Sequence, residues 1–301
     1  MNNASKQRIM IARSVAAIYA VHPDVGSIIV GGSAARTVAH ELSDIDLGIF
    51  WNRLPTEEER NNLIPKVGGR LKRHVDNNLR FSSDNPRKEG LIEIIDLPPV
   101  DDFHVMEMDI EHETVEGTNQ VLSQVIDQLD ISLEKQELVS VIHDGIVLHG
   151  YNLVDQWRAR SISYPQNYAE KMVAEHFSGI GLNLQEQIRW IKAKEWFYLY
   201  EGFLKIGRQL FLTLMGLNRK WVFTDNSNFK GWNTFADKLE LKPEQFASRL
   251  GQAYQQRAPL AIQDLVTLSE EVLELIAVHM PTVDISTEGE LMKRTKDNLN
   301  L

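Results

Sequence analysis

The stretch that most restricts the fold is IIVGGSAARTVAHELSDIDLGIFW, residues 28–51. Its two apolar runs, 27–30 and 44–51, are short, rich in β-branched and aromatic residues, and bounded by turn formers, so they read as strands. Between them, Gly31 and Gly32 lead into a short helix from Ser33. Glycines between a buried strand and a helix let backbone N–H groups come close to a ligand, and a helix start adds partial positive charge. That arrangement suits a phosphate, with the Ser33 hydroxyl as a further donor. In the second strand Asp44 and Asp46 stand two residues apart and share a face, while Ile45 and Leu47 enter the core. Two carboxylates in one site repel at a cost of roughly several kcal/mol unless a cation compensates, and oxygen ligands of this kind suit Mg²⁺. A Gly-Gly-Ser turn alone is an ordinary strand-to-helix connection, and a lone Asp-x-Asp also occurs on solvated edges. The spacing that joins Ser33 to Asp44 points to a metal-phosphate site.

The 301-residue chain is long enough for about two domains, and it has no cysteine, which excludes a disulfide framework, a zinc-thiolate site and a cysteine nucleophile. That absence fits a reducing, cytoplasmic setting. Arg13 interrupts the apolar N-terminal stretch, whose apolar residues recur at helical spacing, so a helix is expected there and not a signal peptide. No apolar run approaches the roughly 18–20 residues that cross a bilayer. A formal charge of −10 opposes a broad duplex-DNA footprint and suits a small or cationic partner. The basic run Arg70, Lys72, Arg73 and His74 reads as a solvated helix face, with nucleotide binding as the alternative.

The pattern predicts an α+β first domain over 1–150, with a mixed sheet flanked by helices. Further strands are expected at 91–95 and 104–113, helices near 56, at 115–129 and at 134–142, a short strand at 146–148, and a polar turn over 80–90. Beyond 150 the pattern becomes helix after helix, which predicts an all-helical bundle over 151–285 and a flexible tail over 286–301. One long helix is expected over 183–217, with Trp196, Phe197, Tyr200 and Leu204 among its core residues. A last helix is expected from Pro259 to about 279.

The order apolar, Gly-Gly-Ser, Ser-Asp-Ile-Asp-Leu resembles the polymerase-β-type nucleotidyltransferase superfamily. The resemblance implies that Gly31, Gly32 and Ser33 hold nucleotide phosphates and that Asp44 and Asp46 bind divalent metal, Mg²⁺ or Mn²⁺. It also calls for a third carboxylate on a later strand. In FHVMEMDIEHET, 103–114, alternation puts Glu107, Asp109, Glu111 and Glu113 on one face. Asp109 is the expected third ligand, with Glu107 and Glu111 as its neighbours in reserve. The implied reaction is attack of an acceptor hydroxyl on the α-phosphorus of a nucleoside triphosphate such as ATP, with release of pyrophosphate by a two-metal mechanism.

A transferase domain followed by a helical domain is similar to bacterial antibiotic nucleotidyltransferases, which implies a small hydroxylated acceptor. In WIKAKEWFYLYEGFLKIGRQ, spacings of three and four put Lys194, Glu195, Tyr198 and Glu201 on a polar stripe. Lys194 is the candidate phosphate ligand, and Glu195 and Glu201 are possible acceptor bases. Asn218 and Lys220 are possible cleft residues. The histidines, His104, His112 and His143, show no ligand spacing. Two other readings stay open: a non-catalytic, antitoxin-like protein that binds nucleotide or a partner, and a transferase acting on RNA or protein.

Overall fold

The chain is described by a computed structural model over residues 1–98, 106–223 and 231–299. It divides into two compact units, residues 1–163 with Phe223, and residues 164–222 with 231–299.

In the first unit, the Asn2 side chain accepts from the Ser5 amide and starts α1 (Asn3–Tyr19), whose Ile9, Ala12, Val15, Ala16 and Tyr19 recur at helical spacing and are buried. Then follow β1 (Val25–Val30), α2 (Gly32–Ala35), β2 (Ile45–Trp51), α3 (Glu57–Leu63), β3 (Arg70–Asp76), β4 (Leu91–Leu97), β5 (Met106–Thr114), α4 (Val115–Leu122), α5 (Leu133–Asp144), β6 (Ile146–His149) and α6 (Tyr151–Ser161). Thr56 and Glu59 form a reciprocal capping box that begins α3 where the Thr-Glu-Glu-Glu sequence points to one. The strand order is β3-β4-β5-β2-β1-β6, with β2 and β5 parallel and the other neighbours antiparallel.

Each face of this sheet has its own chemistry. Ile45, Leu47, Ile49 and Trp51 of β2, Met106, Met108 and Ile110 of β5, and Ile95 and Leu97 of β4 form one core with α1. Each large side chain so buried contributes roughly 1.5–3 kcal/mol. Within that core, Trp51 Nε1 donates to His112 Nδ1 at 3.1 Å, so the His112 proton sits on Nε2 and points to Glu93 Oε2 at 3.1 Å. Glu93 in turn accepts from Arg60 Nε at 3.0 Å, which completes the polar chain. His112 is thus a satisfied core histidine; His104 lies outside the described residues.

Several expectations are corrected. The basic run at 70–76 is a strand, not a helix face: it is an exposed edge strand, so no apolar alternation marks it. The polar segment after β3 makes two single 3-10 turns, Asn77–Leu79 and Pro86–Glu89, tied down by the buried Arg87. The division by contacts falls after Ser163, so α6 joins the first unit.

The second unit contains α7 (Gln166–Phe177), α8 (Ile180–Ala193), α9 (Trp196–Leu217), α10 (Trp232–Ala236), α11 (Phe246–Gln255), α12 (Ala258–His279) and α13 (Ser286–Leu299). Its core draws on Phe203, Leu210, Phe211 and Leu214 of α9 and Ile262, Leu265 and Ile276 of α12. The single helix expected over 183–217 is broken at Lys194, which takes a left-handed conformation with φ of 59°. The break leaves Trp196, Phe197, Tyr200 and Leu204 exposed, Phe197 at 79%, where the sequence pattern had placed them in the core. The segment expected as a flexible tail is α13, with Met292 and Thr295 buried. Its Glu288 carboxylate accepts from the Gly179 and Gly181 amides at 2.8 and 2.7 Å, capping the start of α8. Among the described residues, no helix is long and apolar enough to cross a membrane.

Candidate functional site

The second face of the sheet carries the acids. In the parallel register Asp46 lies beside Asp109, and Asp44 immediately precedes β2. One carboxylate oxygen from each of Asp44, Asp46 and Asp109 falls within 4.8 Å of the others. Of the carboxylates expected on β5, Asp109 is therefore the one brought to the pair. Glu107 pairs with Lys72, and Glu111 pairs with Arg80 and Arg87.

No ion pair reaches the three aspartates among the described residues. Burial, then the charges of Asp44 and Asp109, push the Asp46 carboxyl up to about 7. Burial, then Asp44 and Glu107, push Asp109 up to about 6. Carboxylates so crowded and so poorly compensated are a fit for a hard divalent cation, whose charge supplies what the fold withholds.

The turn before α2 is built against these acids. The Gly31 amide donates to the Asp46 carbonyl at 3.0 Å, which ties the turn to β2. Gly32 has φ of +58°, and a Cβ there would meet Asp46 Oδ2 at 1.5 Å, so only glycine allows this approach. The Ser33 hydroxyl is buried and has no hydrogen-bond partner. A buried donor left open beside the first-turn amides of α2 fits a phosphate oxygen.

Two arginines that the sequence reading passed over complete the site. Arg8, fully buried on α1, donates to the carbonyls of Ser43 at 2.8 Å, Glu41 at 2.9 Å and Ala4 at 3.1 Å. It braces the loop that delivers Asp44. Arg36 ends α2 as its C-cap residue, its backbone N–H donating to the Gly32 and Ala34 carbonyls; its guanidinium lies 4.7 Å from the Phe223 ring centroid and makes no ion pair among the described residues. Burial lowers its pKa, against the pull of Asp46, Asp144 and Glu137. Its position three residues after Ser33 was the available signal.

The remaining candidates belong to the second unit. Lys194 and Glu195 are exposed in the turn between α8 and α9, so they do not share a helical stripe with Glu201, which is exposed on α9. Asn218 is a staple: its Nδ2 donates to the Leu214 and Leu241 carbonyls, and its Oδ1 accepts from the Glu240 and Leu241 amides. Lys220 is exposed. His143 Nδ1 lies 2.8 Å from Asp144 Oδ1 on the surface.

Residues 11–97 match the model of the nucleotidyltransferase domain family. Among solved structures, the chain is similar to a nucleotidyltransferase-like protein from Exiguobacterium sibiricum 255-15, with 11% identity and a TM-score of 0.35 over 96% of this chain and 88% of that one. No curated protein matches the chain.

Proposed function

From the nucleotidyltransferase domain that the chain carries at residues 11–97, we propose that it moves a nucleoside monophosphate from a nucleoside triphosphate to the hydroxyl of a small acceptor. The observation that supports this reading most is the convergence of Asp44, Asp46 and Asp109 beside an open Ser33 hydroxyl. Asp44, Asp46 and Asp109 would hold Mg²⁺ or Mn²⁺, one ion or two, which neutralises charge on the transferring phosphoryl group and makes the attacking hydroxyl more acidic.

The chain's own groups divide the rest. Ser33 and the first-turn amides of α2 bind the phosphates, and Arg36 stabilises the departing pyrophosphate. The acceptor oxygen bonds to the α-phosphorus as the bond to the bridging oxygen breaks, its electron pair leaving with pyrophosphate. The hydroxyl proton passes to Asp109. Lys194, Glu195 and Glu201 stay as the second unit's candidates for nucleotide and acceptor contacts.

Calorimetric titration with ATP tests the site. Affinity is expected to be higher with Mn²⁺ than with EDTA, and Asp46→Asn is expected to remove that gain while the circular dichroism spectrum is unchanged. Equal gains in wild type and variant would reject the assignment. A pyrophosphate-release screen of triphosphates against hydroxylated antibiotics, sugars, RNA and protein then identifies the acceptor. Release with no small molecule but with RNA or protein would replace the small-acceptor reading.

A further inference from the structure

One row of side chains crosses the sheet from the acids to the open edge. Asp46 is the lateral neighbour of Asp109, Asp109 of Ile94, and Ile94 of Arg73. Direct neighbours in a sheet point to the same side, so these four stand on the face that carries the site. Arg73 is two strand spacings from Asp109, about 10 Å. Half-buried Ile94 lies between them as an apolar step.

Most other cations on this part of the face are committed. Lys72 is bonded to Glu107 and lies 3.9 Å from Asp96, while Arg80 and Arg87 hold Glu111. Arg73 is exposed and has no ion pair among the described residues.

Arg36 and Arg73 therefore flank the aspartates from different elements: Arg36 follows the Gly-Ser turn, and Arg73 stands beyond Asp109 on the edge strand. In an in-line displacement the leaving pyrophosphate and the attacking hydroxyl occupy opposite sides of the phosphorus. With the triphosphate on the Ser33 side, the acceptor comes to the Asp109 side. Resting on the transferase reading above, we infer that the acceptor is a small hydroxyl compound that also bears a phosphate, bound by Arg73 across the apolar step of Ile94. A sugar phosphate has this form: a hydroxyl at one end, a carbon face, and an anion at the other. Arg70, opposite Asp96 on the same edge strand, is likewise exposed and without an ion pair among the described residues, and two guanidiniums suit a single phosphate better than the continuous backbone of a nucleic acid, whose affinity is summed over many contacts.

The test uses the full chain with ATP and Mg²⁺ and compares matched acceptors: ribose with ribose 5-phosphate, glucose with glucose 6-phosphate, glycerol with glycerol 3-phosphate, and a short RNA. For at least one pair, the phosphorylated member is expected to show a KM about tenfold or more below its neutral partner. Arg73→Ala should erase that preference by raising the phosphorylated member's KM to that of its neutral partner, and Arg73→Lys should restore part of it. Equal KM values within every pair, or a preference that survives Arg73→Ala, would overturn the inference while leaving the transferase intact. Preference for RNA over every small phosphate would overturn it too. A binding arm covers the case of no turnover: with the site saturated by α,β-methylene-ATP and Mg²⁺, calorimetry with ribose 5-phosphate should give a signal that Arg73→Ala abolishes. Binding that is absent or insensitive to Arg73 sinks the inference. Loss of metal-dependent ATP binding itself would instead sink the transferase reading.

Discussion

Two sets of carboxylates stand side by side on one face of the sheet and are treated in opposite ways. Glu111 and Glu113 of β5 meet Arg87, which is fully buried and donates to both at 2.9 Å, and Glu111 is held again by Arg80 at 2.7 Å. Asp109, two residues from Glu111 on the same strand, its lateral neighbour Asp46, and Asp44 receive no ion pair among the described residues. Burial pushes Glu113 upward as it does Asp46, but Glu113 is drawn back by Arg87 in direct contact, whereas Asp46 feels Arg36 without an ion pair to it among the described residues. A fold that supplies internal cations to one set and leaves the adjacent set bare has left that charge to be balanced from outside. The glutamates fasten β5 to the turns after β3; the aspartates are available for chemistry.

The harshest way to break this comparison is to remove the internal cation. Arg87→Ala would leave Glu113 buried and unpaired, and also releases the Glu134 carbonyl that Arg87 Nη1 holds at 2.7 Å. The expected loss is about 3–5 kcal/mol of stability, measured by urea unfolding. A loss below about 1 kcal/mol would mean that the two carboxylate sets do not differ in kind.

A second comparison concerns pH. Burial and the neighbouring carboxylates push Asp46 up to about 7 and Asp109 up to about 6, from an ordinary aspartate value of 3.8. Carboxyls raised in this way contribute stability that is fully present below the unfolded pKa and is lost as pH rises through the folded value. Without metal the protein should therefore lose melting temperature between about pH 4 and pH 8. Asp46→Asn should flatten that fall, and Mn²⁺ should raise the wild-type Tm at pH 8 more than at pH 5. Glu113 shifts in the same direction in both proteins, so the difference between them isolates Asp46. A variant as pH-sensitive as wild type would remove the distinction between bare and paired acids.

The sequence disclosed this site unevenly, for physical reasons. Asp44, Asp46 and Asp109 were legible because strand alternation fixes which side a residue takes, and Ile45, Leu47, Met108 and Ile110 mark the buried side. Edge strand β3 was not, because Arg70, Lys72, Arg73 and His74 are all exposed and leave no apolar alternation to read. Arg8 carries no local signal: its partners lie 33 and 35 residues away as backbone carbonyls, which have no sequence identity. In the second unit, the break at Lys194 comes without glycine or proline, so the continuous apolar density of the sequence predicts one helix and assigns its exposed aromatics to the core. The order of α13 depends on Glu288 reaching amides 107 and 109 residues earlier, a contact outside any local pattern.

Arg8 offers the finest test of the contrast between bare and paired acids, because it is a cation near Asp44 that is bound to carbonyls and not to a carboxylate. If its role were charge, Arg8→Lys would preserve it. The geometry argues for a brace: a guanidinium can donate from Nε, Nη1 and Nη2 at once to Ser43, Ala4 and Glu41, whereas one ammonium cannot reach three carbonyls in that fork. Arg8→Lys is therefore expected to cost about 1–3 kcal/mol in stability. It should also weaken Mn²⁺ binding several-fold, because the loop that ends at Asp44 is no longer held, while ATP binding in EDTA is unchanged. The split between those two titrations distinguishes positioning of Asp44 from general loosening of the unit, which would lower both. Wild-type Mn²⁺ affinity in Arg8→Lys would show that Asp44 is placed by β2 alone and that the charge beside it suffices.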